Sequence, residues 1–470
     1  MEKEGKQVQK EQAITWVEEN SDVLSKMARQ IWENPEEVFK EYFACELQKD
    51  YLQNQGFEIT TNEKMPTAFM ASYGKGKPVL GLLGEYDALK NLSQEVSAMK
   101  KPIKEGGLGH ACGHNLLGVA CVGAAVAIKE LIAKGELKGT IRYYGCPAEE
   151  MLVGKTLMAE AGLFDGLDAS LTWHPSCMSM AWSGSLLSLY SAIFTFKGKS
   201  SHAGAAPHLG RSALDAVELM NVGANYMREH VEEQNRIHYI IVNGGLEPNT
   251  VPAEASVWYN VRAPKKEIAR ETFRWLTEIA KGASMMTQTT LEEVKIISGC
   301  YEVLPNQVLV KTVEKNMFEL NGPKVTEEDR EFARRISDGY DDAQKEKVLL
   351  SNHVPLSFMD KSIHEGVEPS HDFGKSLKAS TDAGDVSWIA PYAMFGVATW
   401  PLGVVPHTWQ ATASSGAGMG FRGMHYAAKV LATSLIDLYK DPELLSKAKA
   451  EFEESTRGKK YVSVFEEKIG

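Results

Sequence analysis

Residues 78–87 read PVLGLLGEYD, an apolar run that ends in two carboxylates, Glu85 and Asp87. A continuous apolar run of this kind is typical of a strand that is buried on both faces of a mainly parallel sheet. In sheets of this class, the functional residues lie at the carboxyl ends of the strands. The stretch therefore predicts an α/β core with Asp87 at a functional edge of its sheet.

The motif GHACGHN, residues 109–115, places Cys112 and His114 two residues apart just before a predicted helix. A transition-metal site needs sulfur, nitrogen or oxygen ligands, and a Cys-Gly-His turn presents two of them with little backbone strain. One Cys-x-His alone is more often a packing feature, so the metal hypothesis depends on ligands elsewhere in the chain. Nucleophilic catalysis by Cys112 with His110 or His114 is the alternative chemistry, but a flanking glycine and two close histidines fit metal coordination better.

Further candidate ligands follow other apolar runs. Glu149 and Glu150 come after the run at 140–147, and of two adjacent carboxylates one can bind a metal while its neighbour moves protons. His174 closes a third run, and His407 follows a fourth. A single Glu-Glu pair is usually a solvated surface and a single histidine is usually a core residue. Several strand ends that all carry metal-competent side chains predict a metal site.

These motifs, together with SHAG at 201–204 and PHLGRSA at 207–213, occur in a fixed order along nearly the whole chain. The sequence resembles the dinuclear metallo-aminoacylase and carboxypeptidase family of amidohydrolases, and within it the aminobenzoyl-glutamate utilization branch. The resemblance implies a mixed, mainly parallel sheet sandwiched by helices, as in zinc exopeptidases, with an inserted α+β ferredoxin-like lid and dimerisation domain. It also implies two divalent metal ions per chain, zinc or manganese.

The resemblance assigns a role to each candidate residue. Cys112 matches a bridging metal ligand, and the further ligands are His114, Glu150, His174 and His407. Glu149 matches the general base that deprotonates the attacking water, and Asp87 matches the carboxylate that orients the metal environment. Two positions depart from related branches: Glu85 stands where the carboxypeptidase branch has a histidine ligand, and Asn115 stands where many relatives have aspartate.

The activity that the resemblance implies is hydrolysis of the amide bond of an N-acyl amino acid, such as p-aminobenzoyl-glutamate, to p-aminobenzoate and glutamate. The chemistry fits independently, because amide hydrolysis needs an activated water, a Lewis acid and a proton donor for the departing amine. Two alternatives stay open. One is a dipeptidase that acts on β-alanyl or related dipeptides, and the other is a non-catalytic partner subunit that binds such ligands.

The pattern of elements separates a catalytic domain at 1–187 and 301–470 from an inserted domain at 188–300. The inserted part is predicted to be a βαββαβ motif, with strands at 187–196, 237–242, 255–262 and 290–297 and helices at 212–230 and 265–286. In the family this domain pairs two subunits as a homodimer. A related second subunit is a further expected partner.

Three residues of the inserted domain match functional positions of the family. His202 matches a histidine that reaches the partner subunit's active site and steadies the oxyanion, although a histidine in the stretch SSHAG could also be a simple turn residue. Asn249 and Arg262 match residues that hold the substrate carboxylate, a task that suits a guanidinium fork. Arg262 could equally pair with a structural aspartate.

Composition limits the other classes of function. The chain has 470 residues, 43% of them hydrophobic, and a net charge of -11, which argues against binding to nucleic acid or to an anionic membrane. Six cysteines without paired spacing and a charged amino terminus predict a cytoplasmic protein with reduced thiols. The charged segment at 322–375, with His353, His364 and His371, is expected to be a surface excursion with exposed histidines.

Overall fold

The computed structural model describes residues 2–339, 341–351 and 354–467. In chain order, the helices are α1 (Glu2–Glu19), α2 (Ser21–Glu33), α3 (Tyr42–Asn54), α4 (His114–Ala133), α5 (Gly154–Glu160), α6 (Ala213–Met227), α7 (Lys266–Thr287), α8 (Gln307–Leu320), α9 (Glu327–Ser337), α10 (Asp342–Ser351), α11 (Ala383–Ser387), α12 (Trp409–Ser415), α13 (Gly418–Lys440) and α14 (Pro442–Thr456). The strands are β1 (Glu58–Asn62), β2 (Met65–Lys75), β3 (Val79–Glu85), β4 (Gly139–Cys146), β5 (Ala169–Ser176), β6 (Met180–Trp182), β7 (Ser185–Leu186), β8 (Ser188–Lys197), β9 (Arg236–Asn243), β10 (Glu254–Ala263), β11 (Thr290–Cys300), β12 (Ser376–Leu377) and β13 (Tyr392–Ala398).

The chain divides into two compact units. The first, called here the catalytic unit, is formed by residues 1–184, 304–375 and 386–460, and the second, called here the inserted unit, by residues 185–303, 376–385 and 461–470. Residues 376–385 and 461–467 had been expected in the catalytic domain. They join the inserted unit because β12 pairs with β7 and because Glu467 accepts a hydrogen bond from Tyr190, over 2.6 Å. Such short segments have no periodic pattern from which their partner could be predicted.

The catalytic unit is built on a seven-stranded sheet of order β1-β2-β4-β3-β5-β13-β6. Its central strands β4, β3, β5 and β13 are parallel, whereas β1, β2 and β6 pair antiparallel at the two margins. Every residue of β3 is buried, as its continuous apolar sequence requires. The predicted α/β class with a mixed, mainly parallel sheet is confirmed.

Helix α4 begins at His114, inside the GHACGHN motif, and packs on the central strands, with α13, α1 and α2 against it. By length and composition α4 could cross a membrane, but 78% of its apolar window is buried inside the structure. A helix that is hydrophobic on all sides is expected at the centre of a large core. This burial fixes the amino-terminal end of α4, where the predicted metal ligands begin.

The inserted unit contains a four-stranded antiparallel sheet of order β11-β8-β10-β9, against which α6 and α7 pack. On β10, alternate residues from Ala255 to Ala263 are buried, which is the period of a strand covered on one face. The element order βαββαβ and this strand order confirm the predicted ferredoxin-like domain.

The segment at 322–375 contains α9 and α10 and is only partly a surface excursion. The side chain of His364 is fully buried, and its Nδ1 accepts a hydrogen bond from the Ser179 amide over 3.4 Å. The expectation of exposed histidines is therefore wrong for His364, because the segment folds back on the end of the sheet. His353 lies outside the described residues.

Candidate metal centre

The predicted catalytic residues and metal ligands of the catalytic unit converge because parallel strands end at one edge of the sheet. Asp87 follows β3, Glu149 and Glu150 form a 3-10 turn after β4, and His174 lies near the end of β5. His114 is the first residue of α4. Strands β4, β3 and β5 are neighbours, so the side chains at their carboxyl ends meet in one place.

His407 is distant in the sequence but is tied to the same place by its backbone. Its amide donates a hydrogen bond to the carbonyl of Ala111 over 3.0 Å, which joins the loop before α12 to the GHACGHN motif. His407 also has a left-handed φ of 62°. A non-glycine residue held in this region stores strain, and such strain is concentrated at functional sites.

The turn between Cys112 and His114 requires glycine. Gly113 has a φ of +73°, and a Cβ at this position would lie 2.7 Å from Cγ of Pro175, the neighbour of His174. No other residue fits without displacing the end of β5. The glycine of the Cys-Gly-His turn is therefore required by its close approach to Pro175 at the end of β5.

Two groups of possible metal donors share one cysteine. The first is Cys112, His114 and His174, and the second is Cys112, Glu150 and His407; within each group the donor atoms lie within 4.8 Å of one another. Cys112 Sγ is 3.7 Å from His174 Nε2, and Glu150 Oε2 is 3.2 Å from His407 Nε2. A thiolate common to two donor groups fits a ligand that bridges two ions, as predicted for Cys112.

Asp87 connects the two donor groups without being a donor itself. Its Oδ1 lies 2.8 Å from His114 Nδ1, and its Oδ2 accepts the Glu150 amide over 2.8 Å. A hydrogen bond at Nδ1 leaves Nε2 of His114 for a metal ion, and His174 is arranged in the same way, since its Nδ1 lies 2.7 Å from the Pro175 carbonyl. These contacts match the orienting role predicted for Asp87.

The electrostatics of the site favour a cation. Burial raises the pKa of the Cys112 thiol well above its usual value, and the charge of Glu150 raises it further, so a thiolate here needs a positive charge beside it. Burial alone would lower the pKa of His114, but the charge of Asp87 raises it well above its usual value. A divalent ion would satisfy both groups.

Three buried side-chain atoms at this edge have no hydrogen-bond partner among the described residues. They are Glu85 Oε2, His114 Nε2 and Glu150 Oε1. Buried polar atoms are almost always satisfied, and three exceptions in one place need an explanation. All three can donate electron pairs to a metal ion, so the residues present fit a metal centre.

Glu149 lies beside the donors and is buried, with its Oε2 3.8 Å from His114 Nε2. The preceding residue, Ala148, has a left-handed φ of 58°, and its amide donates to Glu41 Oε1 over 3.0 Å. The same oxygen accepts the amide of Phe39, another left-handed residue, over 2.8 Å. Glu41 thus fixes the backbone that aims Glu149 and Glu150.

Sequence reasoning did not find Glu41 or Lys155, the partner of Glu85. Glu41 stands among other charged residues near the amino terminus, and Lys155 resembles any surface lysine of a short helix. Asn115, noted as a departure from relatives, donates hydrogen bonds to the Ala28 and Ser415 carbonyls and contributes to packing. Only the burial of these side chains reveals their roles.

The candidate residues of the inserted unit do not converge. His202 and Asn249 are exposed and lie in loops joined by hydrogen bonds from Ala203 to Asn249 and from Val251 to Ser201. Arg262 lies near the opposite end of β10, roughly 25 Å of strand away. Asn249 and Arg262 of one chain therefore lie too far apart to bind one substrate carboxylate together.

The local contacts of these residues are sparse. His202 Nδ1 accepts the amides of Gly204 and Ala205, which is the turn geometry considered as the alternative. Arg262 donates to the Ser380 hydroxyl over 3.0 Å. It pairs with no aspartate or glutamate in the part of the chain that the structure describes.

The known proteins that are similar to this chain in sequence or in fold are named as hydrolases and peptidases. Residues 187–284 match the model of a peptidase dimerisation domain. The chain is 37% identical over 459 residues, 95% of either chain, to a p-aminobenzoyl-glutamate hydrolase subunit of Escherichia coli. It is 27% identical to the human Xaa-Arg dipeptidase, over 96% of this chain and 93% of that one. Among solved structures, a dinuclear metal binding peptidase of the M20 family from Bacillus subtilis is similar in fold, with a TM-score of 0.53, 18% identity and coverage of 88% of this chain and 98% of that one.

Proposed function

Because the chain belongs to the M20 family of amide-hydrolysing enzymes, we propose that it cleaves p-aminobenzoyl-glutamate or a closely similar N-acyl amino acid, with Glu149 as general base. The observation that carries this proposal is the pair of donor groups that share Cys112 directly beside Glu149. The substrate class is suggested by the E. coli relative, which is similar along 95% of this chain.

The residues divide the work of hydrolysis. Divalent ions held by Cys112 and its neighbours would polarise the amide carbonyl and lower the pKa of the attacking water to about 7. Glu149 accepts the proton of that water and passes it to the departing nitrogen. Asp87 keeps His114 in the orientation that this arrangement needs, through the contact at Nδ1. Burial of Glu149 excludes bulk water from the proton transfer.

A dipeptidase activity is the second candidate, because the human Xaa-Arg dipeptidase aligns with 96% of this chain. The lower identity of that relative, 27% against 37%, makes it the weaker candidate. A purely binding subunit is disfavoured by Glu149, since binding alone has no need of a proton acceptor beside the donor groups.

We also propose that two copies of the chain pair through the inserted unit. Its edge strand β9 carries three consecutive exposed apolar residues: Ile240 is 60% exposed, Ile241 46% and Val242 51%. An unprotected apolar edge of this kind favours strand pairing with a second copy. The match to a dimerisation domain supports the same interface.

A related second chain is a further proposed partner. The E. coli hydrolase has two different subunits that are both similar to this chain, one at 37% identity and the other at 28% identity over 224 residues. This similarity to both subunits of one hydrolase supports an assembly of two related chains.

In a dimer of this chain we propose that His202 serves the active site of the other subunit, and that Asn249 and Arg262 are substrate-binding residues. The exposure of His202, in a loop of the segment that matches a dimerisation domain, supports its role across an interface. The buried free thiols support a reducing compartment such as the cytoplasm, and the mixed sulfur, nitrogen and oxygen donors suit zinc or manganese.

The test combines metal content with activity. Protein purified without chelators is analysed for metal, and hydrolysis of p-aminobenzoyl-glutamate is measured for the wild type and for Glu149→Gln under the same metal supply. We expect about two ions per chain in both, with activity lowered at least about 1000-fold in the variant. Glu453→Gln, at an exposed position of α14, is the matched control and should be fully active.

Two other outcomes of these measurements would change the proposed function. Cleavage of a dipeptide but not of p-aminobenzoyl-glutamate by the metal-loaded wild type would replace the first candidate with the second. Two bound ions with no hydrolysis of either substrate would contradict the catalytic proposal for the chain on its own.

A further inference from the structure

Glu85 and Lys155 form a buried pair at the edge of the metal centre that the proposed hydrolysis does not use. Glu85 ends β3 and is 3% exposed, and Lys155, in α5, is fully buried. Lys155 Nζ lies 2.7 Å from Glu85 Oε1. A buried ion pair costs desolvation energy that its attraction often fails to recover, so stability alone is weak justification for it.

The second oxygen of Glu85 points to the metal donors. Oε2 is 3.2 Å from His114 Nε2, yet the two atoms do not have hydrogen-bond geometry, and both lack hydrogen-bond partners among the described residues. Two ligand atoms on one divalent ion, at about 2.1 Å each, are separated by roughly 3.0–3.4 Å when their bond angle is near 90–109°. The observed separation fits two ligands of one ion.

We infer that Glu85 is a further protein ligand of an ion that His114 also binds, and that Lys155 positions it. By occupying Oε1, Lys155 leaves Glu85 a single oxygen to offer. The lysine also offsets the negative charge that Glu85 adds to a site already rich in anions. A carboxylate oxygen is a harder donor than sulfur or imidazole nitrogen. Its presence among the ligands of this ion favours manganese more than sulfur and nitrogen ligands alone would.

The inference deepens the proposed function and rests on it only for the presence of metal. The alternative explanation is that the Glu85–Lys155 ion pair has only a structural role and connects β3 to α5. The two explanations differ in metal binding, because a structural pair can be removed as a unit without loss of an ion, whereas a ligand cannot.

The decisive variant removes both charges at once. Glu85→Gln with Lys155→Met removes both members of the ion pair, and thermal unfolding of the metal-free variant checks that it still folds. Wild type and variants are dialysed against buffered zinc or manganese, and bound metal is counted by elemental analysis. We expect about two ions per chain in the wild type and one in the double variant, with the affinity for the lost ion at least about 100-fold weaker.

Two further variants separate the roles of the partners. Lys155→Met alone keeps the ligand and should still bind two ions, with a changed preference between zinc and manganese. Removing the exposed Lys197–Glu254 pair of the inserted unit, as Lys197→Met with Glu254→Gln, is the matched control and should bind two ions with wild-type affinity.

The results that would overturn the inference are clear. Two tightly bound ions in the double variant would make the pair structural. If the double variant fails to fold, Glu85→Asp takes its place: withdrawal of the oxygen by one methylene should weaken one of the two ions at least about tenfold, and unchanged affinity would refute the role. A wild type that binds two ions but does not hydrolyse amides would refute the proposed activity and leave this inference standing.

Discussion

The two units of this chain hold their functional residues in opposite ways. In the catalytic unit the candidate residues are mostly buried and fixed by hydrogen bonds from strand ends and backbone amides, as with Asp87 and His114. In the inserted unit, His202 and Asn249 are exposed in loops. The donors of the proposed metal centre all come from one chain, whereas His202, which we propose to act across an interface, has only local contacts within its own chain.

The largest effect is expected at Cys112, the donor that both groups of the catalytic unit share. Cys112→Ala removes a ligand from both donor groups, so we expect loss of most bound metal and a fall in activity of at least about 1000-fold. Cys300→Ala, at a buried cysteine of the inserted unit, is the matched control and should keep metal and activity. Two ions retained in Cys112→Ala, by elemental analysis, would show that the thiol does not bridge them.

His202 should matter for catalysis but not for metal binding. If it donates to the developing oxyanion, His202→Ala should lower kcat about 100-fold, which is roughly 3 kcal/mol, while the metal content stays at the wild-type value. His208, an exposed histidine of the same loop region, provides the control, and His208→Ala should be nearly unchanged. The readout is kcat measured with metal-loaded protein at saturating substrate.

Mixing two inactive variants tests whether His202 acts across the interface. In a dimer of one Glu149→Gln and one His202→Ala chain, a single site receives both intact residues if His202 serves the partner. Random exchange makes half of the dimers mixed, so roughly one quarter of wild-type activity should return. No recovery after verified subunit exchange would place His202 in the site of its own chain.

The sequence could predict the features of the fold and the site that depend on runs of apolar residues. The apolar run at 78–85 and the run before Glu149 predicted two of the parallel strands. The ends of the apolar runs predicted that Asp87 and His174 lie at the functional edge of the sheet. His407 was a candidate ligand because it follows an apolar run, but its place in this site followed only from the resemblance, since its contact with Ala111 depends on the folding of a distant loop. Glu41 and Lys155 could not be predicted, because burial of a charged residue in a short helix or a loop leaves no periodic signal.

Glu41 allows the role of backbone anchoring to be measured. Glu41→Gln keeps an oxygen that can accept the amides of Phe39 and Ala148, so it should remain active. Glu41→Ala leaves both amides unsatisfied and releases the residue that aims Glu149. We expect kcat about tenfold lower and a free energy of unfolding about 1–3 kcal/mol lower in the alanine variant only. Equal losses in both variants would mean that the charge, not the hydrogen bonds, is needed.

One buried carboxylate in each unit shows a different response to burial. In the catalytic unit burial opposes ionisation of Glu85, but the charge of Lys155 lowers its pKa below the usual value. In the inserted unit burial raises the pKa of Glu302 to about 7, only partly countered by the Lys266 amide that it accepts. Burial therefore leaves Glu85 charged, because the charge of Lys155 outweighs it there, whereas it prevails at Glu302 and leaves that carboxyl partly protonated near neutrality.

Glu302 should make folding weakly dependent on pH. Its pKa is higher in the folded than in the unfolded chain, so the folded state keeps a proton that the unfolded state releases, and stability is lost as pH rises from about 4.5 through about 7. Glu302→Gln removes this contribution. We expect urea unfolding of metal-free wild type to lose about 1–3 kcal/mol more between pH 5 and pH 8 than the variant does. Identical pH dependence in the two proteins would mean that Glu302 is ionised when folded, and hence that a cationic partner compensates its charge as Lys155 compensates that of Glu85.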